Sequence, residues 1–102
     1  MSTNNTNPNH FPIISTDYAG RQCVLRMPSG AAVGVGHIAT SFRGEKYILT
    51  DGRAPHKASS SGRVCVCPYG ADPKDPSNIS EYFPAVFDLV WVPVNEPQRV
   101  AA

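Results

Sequence analysis

Long helical patterning is missing from this chain: no stretch of about ten residues or more repeats its apolar side chains at a 3.6-residue period, which argues against a helical bundle. The first residues, MSTNNTNPNH, have neither a basic start nor an apolar run, so they fit neither a signal peptide nor a membrane span. The expectation is a soluble, cytoplasmic protein without a membrane partner. Charge is also sparse, with 17% charged residues and a formal net charge of +1, so the overall balance selects no class of partner. Cysteine is scarce and odd in number. Cys23, Cys65 and Cys67 lack paired C-x₂-C knuckles, and in a reducing compartment such thiols read as small buried apolar groups, with no metal or other cofactor expected.

What the chain does have is punctuation. Ten prolines and eight glycines in 102 residues favour short strands joined by tight turns within one domain. Residues 21–27, 31–42, 45–51, 62–68 and 88–92 are rich in β-branched, aromatic or alternating apolar side chains and read as strands. Pro28-Ser29-Gly30 and Arg43-Gly44 read as turns, and Gly34 and Gly36 as a bulge or bend inside a long second strand. Residues 52–63 and 69–80 read as loops. Pro84 is expected to break any pairing begun by residues 81–83 and to leave 85–88 as one 3₁₀ turn before the last strand. Strand, proline, one helical turn and strand is how an SH3-like barrel closes. The predicted architecture is therefore an all-β, SH3-like small barrel of five to six strands over residues 18–94. A flexible tail at 1–17 precedes it and a flexible C-terminus at 95–102 follows. Leu25, Val33, Val35, Tyr47, Leu49, Val64, Val66, Val86, Leu89 and Trp91 are the expected core.

Charge is unevenly placed along the chain. Residues 21–63 carry seven basic side chains against two acidic ones, and residues 64–98 carry one basic against five acidic. The basic half centres on GRAPHKASSSGR at 52–63, where Arg53, His56, Lys57 and Arg63 accompany three serines. Such a loop can hold a phosphate or a nucleic acid through side chains and free N–H groups, with Tyr47 or Phe42 near enough to stack on bases. It can equally be a solvated connection, polar because it lies outside.

Catalytic motifs are absent. His10, His37 and His56 are tied to no serine or cysteine in a nucleophile motif. Gly34-Val35-Gly36 lacks the third glycine and the following helix of a dinucleotide fingerprint. Asp72, Asp75 and Asn78 lack the spacing of a calcium loop and read as turn residues.

The polar tail, the strand running into Ser29-Gly30-Ala31-Ala32, the long second strand and the closing segment from Phe83-Pro84 to Val92 resemble the plasmid- and integron-borne type II dihydrofolate reductases. The resemblance implies an SH3-like barrel, assembly around a shared pore and an origin on a mobile genetic element. It does not carry reductase chemistry across. Met27-Pro28 stands where that family has its pore lysine, and Ser80-Glu81-Tyr82-Phe83-Pro84 stands where it has Val-Gln-Ile-Tyr-Pro.

Three functional readings follow: a non-catalytic module binding protein partners, a nucleic-acid-binding barrel using the 52–63 loop, and a small-molecule-binding or enzymatic oligomer like the resembled reductases. Self-association, with a dimer favoured, is expected because Val64-Cys65-Val66-Cys67 and Leu89-Val90-Trp91-Val92 leave no alternate polar positions, whereas a small barrel has one interior.

Overall fold

The computed structural model describes residues 12–94; the first part of the expected tail, with His10, and the expected C-terminal segment at 95–102 lie outside the described residues. The fold is all-β. β1 (Ile14–Thr16), β2 (Gln22–Arg26), β3 (Ile38–Thr40), β4 (Lys46–Arg53), β5 (Arg63–Pro68), β6 (Ser80–Tyr82) and β7 (Val90–Pro93) form two antiparallel sheets. One runs β1-β2-β7 and the other β3-β4-β5-β6, and among the described residues no strand pairing closes them into a single ring.

Period-two alternation explains how the sheets meet. In β5, Val64 and Val66 are fully buried while Arg63 before them and Cys65 between them are only partly so, as a strand with one face on a core requires. Leu25 of β2 pairs with Trp91 of β7, and Leu49 of β4 pairs with Val66 of β5. These side chains join Cys23, Val33, Ala39, Phe87 and Leu89 in one cluster drawn from both sheets. β4 bulges between Leu49 and Asp51, where the Thr50 hydroxyl donates to the Cys65 carbonyl at 3.0 Å.

Several expectations are corrected. The long second strand at 31–42 shrinks to Ile38–Thr40. Gly36 takes φ of 97° and the His37 N–H closes a turn on the Gly34 carbonyl at 3.0 Å, so of the expected bulge or bend it is the bend that forms, and it ends the strand instead of lying inside it. Val35, expected in the core, therefore points outward and is 53% exposed; Tyr47 and Val86 are partly buried against the core's rim. The segment expected as tail contributes β1, paired with β2 from Ile14–Val24 to Thr16–Gln22, and Ile13 before it is buried. Residues 80–82 do pair, with β5, and Pro84 opens the 3₁₀ turn at Pro84–Phe87, one residue ahead of the expected start.

Asp17 ties β1 to β2. Its carboxylate is buried and accepts the Ala19 and Arg21 backbone N–H groups at 2.9 Å each, together with the Arg21 guanidinium at 2.9 and 3.0 Å. Burial alone would raise its pKa, but the Arg21 and Ala19 hydrogen bonds and the Arg21 charge outweigh it and hold the group below its ordinary 3.8. A carboxyl depressed on folding contributes stability above its unfolded pKa and loses that contribution as pH falls through the folded value. Asp17→Asn is expected to lower the thermal midpoint near neutrality and to flatten the acid side of the stability profile; thermal unfolding between about pH 2 and pH 7 checks it.

Candidate functional site

Two depressions carry the polar and aromatic side chains of interest. The first forms where the turn between β3 and β4 meets the segment after β6. Ser41 is buried at the turn's base, its hydroxyl accepting the Arg43 and Glu45 N–H groups at 3.2 Å each. The Ser41 N–H reaches the Glu45 carbonyl at 2.8 Å and the Gly44 N–H reaches the Ser41 carbonyl at 2.8 Å. This local bonding puts Phe42 at the tip, 76% exposed. Its N–H also donates to the Val86 carbonyl at 3.0 Å, which fixes the turn to the 3₁₀ segment.

Beneath Phe42, Tyr47, Tyr82 and Phe87 meet edge to face, with ring centroids 5.4 to 5.8 Å apart, a geometry aromatic rings favour. A groove of about 330 Å³ runs between these elements, with Phe42, Tyr47, Tyr82 and Val86 in its wall and Arg43 and Glu45 at its edge. The Tyr82 hydroxyl beside it, then burial and the Glu45 carboxylate, push the Tyr47 phenol up to about 12. The Tyr47 phenol is therefore protonated at neutral pH, and its hydroxyl donates to the Glu45 carboxylate at 3.4 Å.

The second depression, of about 460 Å³, lies at the far end of the β4–β5 hairpin. Arg53, His56 and Arg63 line it, with Ser15, Thr16 and Glu81. Three of the four residues expected from the 52–63 loop thus come together, while Lys57 stays exposed in the loop outside that wall. The loop is tied down: the Ala54 N–H donates to the Ser15 hydroxyl at 2.9 Å and the Tyr18 N–H to the Pro55 carbonyl at 2.9 Å. Arg63 stacks on the Phe83 ring at 4.4 Å. Arg53 lies 3.8 Å from Glu81.

Phe42, Tyr82, Glu81 and Phe83 had no signal as a group in the sequence, because they come from separate elements. A large aromatic inside a Ser-Phe-Arg-Gly turn is the one local hint, since a turn tip has no core to enter.

The remaining candidates separate. Cys67 is buried, its thiol bonding the Pro68 and Ala71 carbonyls at 3.5 Å each. Cys65 faces Glu81, and burial followed by the Glu81 and Asp51 carboxylates raises its pKa. Cys23 lies in the other sheet against Asp17. Among the described residues no three His, Cys, Asp or Glu side chains gather as a metal site would need. Asp72 accepts the Lys74 N–H at 2.9 Å and Asp75 accepts the Ser77 N–H at 3.0 Å, local turn bonds of the kind expected for them. His37 and His56 line different depressions, and burial holds His37 below its ordinary 6.5. Among the described residues no helix is long and apolar enough to cross a membrane. Comparison with known proteins returns no match: no family model, no curated protein and no solved structure is similar to this chain.

Proposed function

We propose that this chain is a non-catalytic binding module on an SH3-like small barrel, and that it takes an extended segment of a protein partner into the groove below Phe42. Two sheets over one core, with a 3₁₀ turn entering the last strand, support the barrel reading. The observation that carries the binding reading is Phe42 itself: a large apolar ring, 76% exposed, on a turn whose N–H groups from Ser41 to Glu45 are all bonded. A partner that covers it gains its desolvation without the cost of ordering it.

The rest of the groove suits polypeptide. Aromatic walls accept a polyproline-type backbone, whose carbonyls are unpaired, and the Tyr82 hydroxyl can donate to them while that of Tyr47 bonds Glu45 at 3.4 Å. Arg43 and Glu45 carry opposite charges at the edge, so no field favours a polyanion here.

The test is titration of the ¹⁵N-labelled chain with an array of proline-rich peptides, followed by affinity measurement on those that bind. Binding is expected to move the resonances of Phe42, Tyr47 and Tyr82. Phe42→Ala is expected to weaken it about thirtyfold, the effect of an interface anchor of about 2 kcal/mol, with the far-ultraviolet dichroism unchanged. Peptides that move none of these resonances, or a Phe42→Ala variant of unchanged affinity, overturn the reading.

A further inference from the structure

We propose that the outward face at the end of the β4–β5 hairpin is a second binding site, for the phosphodiester backbone of single-stranded nucleic acid. It shares no wall residue with the aromatic groove. Tyr82 pairs with buried Val64 while Glu81 pairs with Cys65, so the two sites use opposite faces of β6.

The first ground is a like-charge pair. Arg53 and Arg63 are direct cross-strand partners, an arrangement that costs stability unless an anion lies over it. Among the described residues, the one carboxylate within 4.0 Å of either guanidinium is that of Glu81, 3.8 Å from Arg53, with the two side chains 43% and 74% exposed. A pair this long and this wet holds weakly and can be displaced. His56 adds a titratable third nitrogen donor on the same wall.

The second ground is the ring next to the charge. Arg63 lies over Phe83 at 4.4 Å, and Phe83 remains 54% exposed. A guanidinium held over an aromatic ring puts charge and an exposed π-face side by side, for a phosphate and its base, while Arg53 lies across the strand for the adjoining phosphate. An isolated phosphate ion needs no such ring; an unpaired base does. That difference selects single-stranded nucleic acid over a free phosphomonoester.

The experiment is fluorescence anisotropy of the full chain with a labelled twelve-residue oligothymidylate across a range of salt, with inorganic phosphate and an unlabelled duplex as competitors. With two to three phosphate contacts the salt slope is expected near −2, and Arg53→Gln and Arg63→Gln are each expected to reduce it by about 0.7. Phe83→Leu is expected to weaken binding about tenfold at unchanged slope, because stacking carries no counterion. Glu81→Gln, which removes the competing carboxylate, is expected to tighten it severalfold, and Lys74→Ala, remote in the 69–80 loop, to leave it unchanged. Circular dichroism of each variant confirms the fold. No binding, competition by millimolar phosphate or by duplex as effective as by the unlabelled strand, or Arg63→Gln and Phe83→Leu both without effect overturns the proposal. Each outcome is independent of the peptide titration, since Phe42→Ala is expected to leave the oligonucleotide affinity unchanged.

Discussion

Val64→Asp is expected to leave the chain unfolded. Val64 is completely inaccessible, on the inward face of β5 between Gly52 of β4 and Tyr82 of β6. Leu49 and Val66 of the same cluster offer a carboxylate there no donor, and the one on Trp91 is taken by the Arg63 carbonyl at 3.3 Å; an unpaired ionised group taken from water costs several kcal/mol even after relaxation. A domain of this size has about 5–15 kcal/mol of stability in all. Val64→Ala separates charge from volume: it removes two methyl groups and is expected to cost roughly 2 kcal/mol, leaving a cooperative transition. Far-ultraviolet circular dichroism with urea titration checks both. A folded Val64→Asp variant would mean that the hairpin is not part of the core.

Gly62→Ala is the second large effect. Gly62 has φ of 87°, where an L residue is strained by about 1–2 kcal/mol. A Cβ there would sit 2.6 Å from Trp91 Cδ1 and 2.7 Å from the Arg53 carbonyl oxygen. Neither neighbour can give way cheaply. The indole is buried at 7% exposure and its Nε1 donates to the Arg63 carbonyl at 3.3 Å, and the Arg53 carbonyl belongs to the strand backbone. Strain and overpacking together are expected to cost about 3 kcal/mol or more. That corresponds to a fall in thermal midpoint of roughly 12 °C or more for about 100 residues. Ser61→Ala, one residue earlier and exposed, is the control and is expected to move the midpoint by a degree or two.

The pattern of residues made the strands around Leu25, Leu49, Val64, Val66 and Trp91 legible, because alternation on a half-buried sheet leaves a period-two record. It failed where backbone conformation, which composition does not encode, decided the outcome. Gly34 and Gly36 look the same in a bulged strand as in a turn; only the positive φ at Gly36 separates the two and sends Val35 outward. Ile14–Thr16 carries a weak strand signal inside a polar segment, and its order comes from pairing with β2 and from the Asp17 bonds, both non-local to its own composition. Of the site, the cationic loop was readable because its charges are contiguous. The Phe42 groove was not, since residues 42, 47, 82 and 86 meet only once β3 to β6 have paired and the 3₁₀ turn has bonded to the β3–β4 turn.

The expected dimer rested on strands apolar on both faces. Part of the outward set is covered within the chain, as Cys67 is by the turn at 68–71. What stays outward on the β1-β2-β7 sheet is Ile14 at 49% and Val90 at 51% exposure, near Val24 and Val92; light scattering is the measurement that decides self-association.

The chain contains a single tryptophan, and its position makes it an intrinsic optical gauge. The indole of Trp91 belongs to β7 but leans across Gly52 and Gly62 of the opposite sheet. Its emission wavelength and quenching by iodide will therefore register separation of the two sheets before any strand is lost. Tyr47 and Tyr82 are natural excitation donors to it. No dye or added label is needed to time the seam's opening in stopped flow, or to see whether filling either depression tightens it.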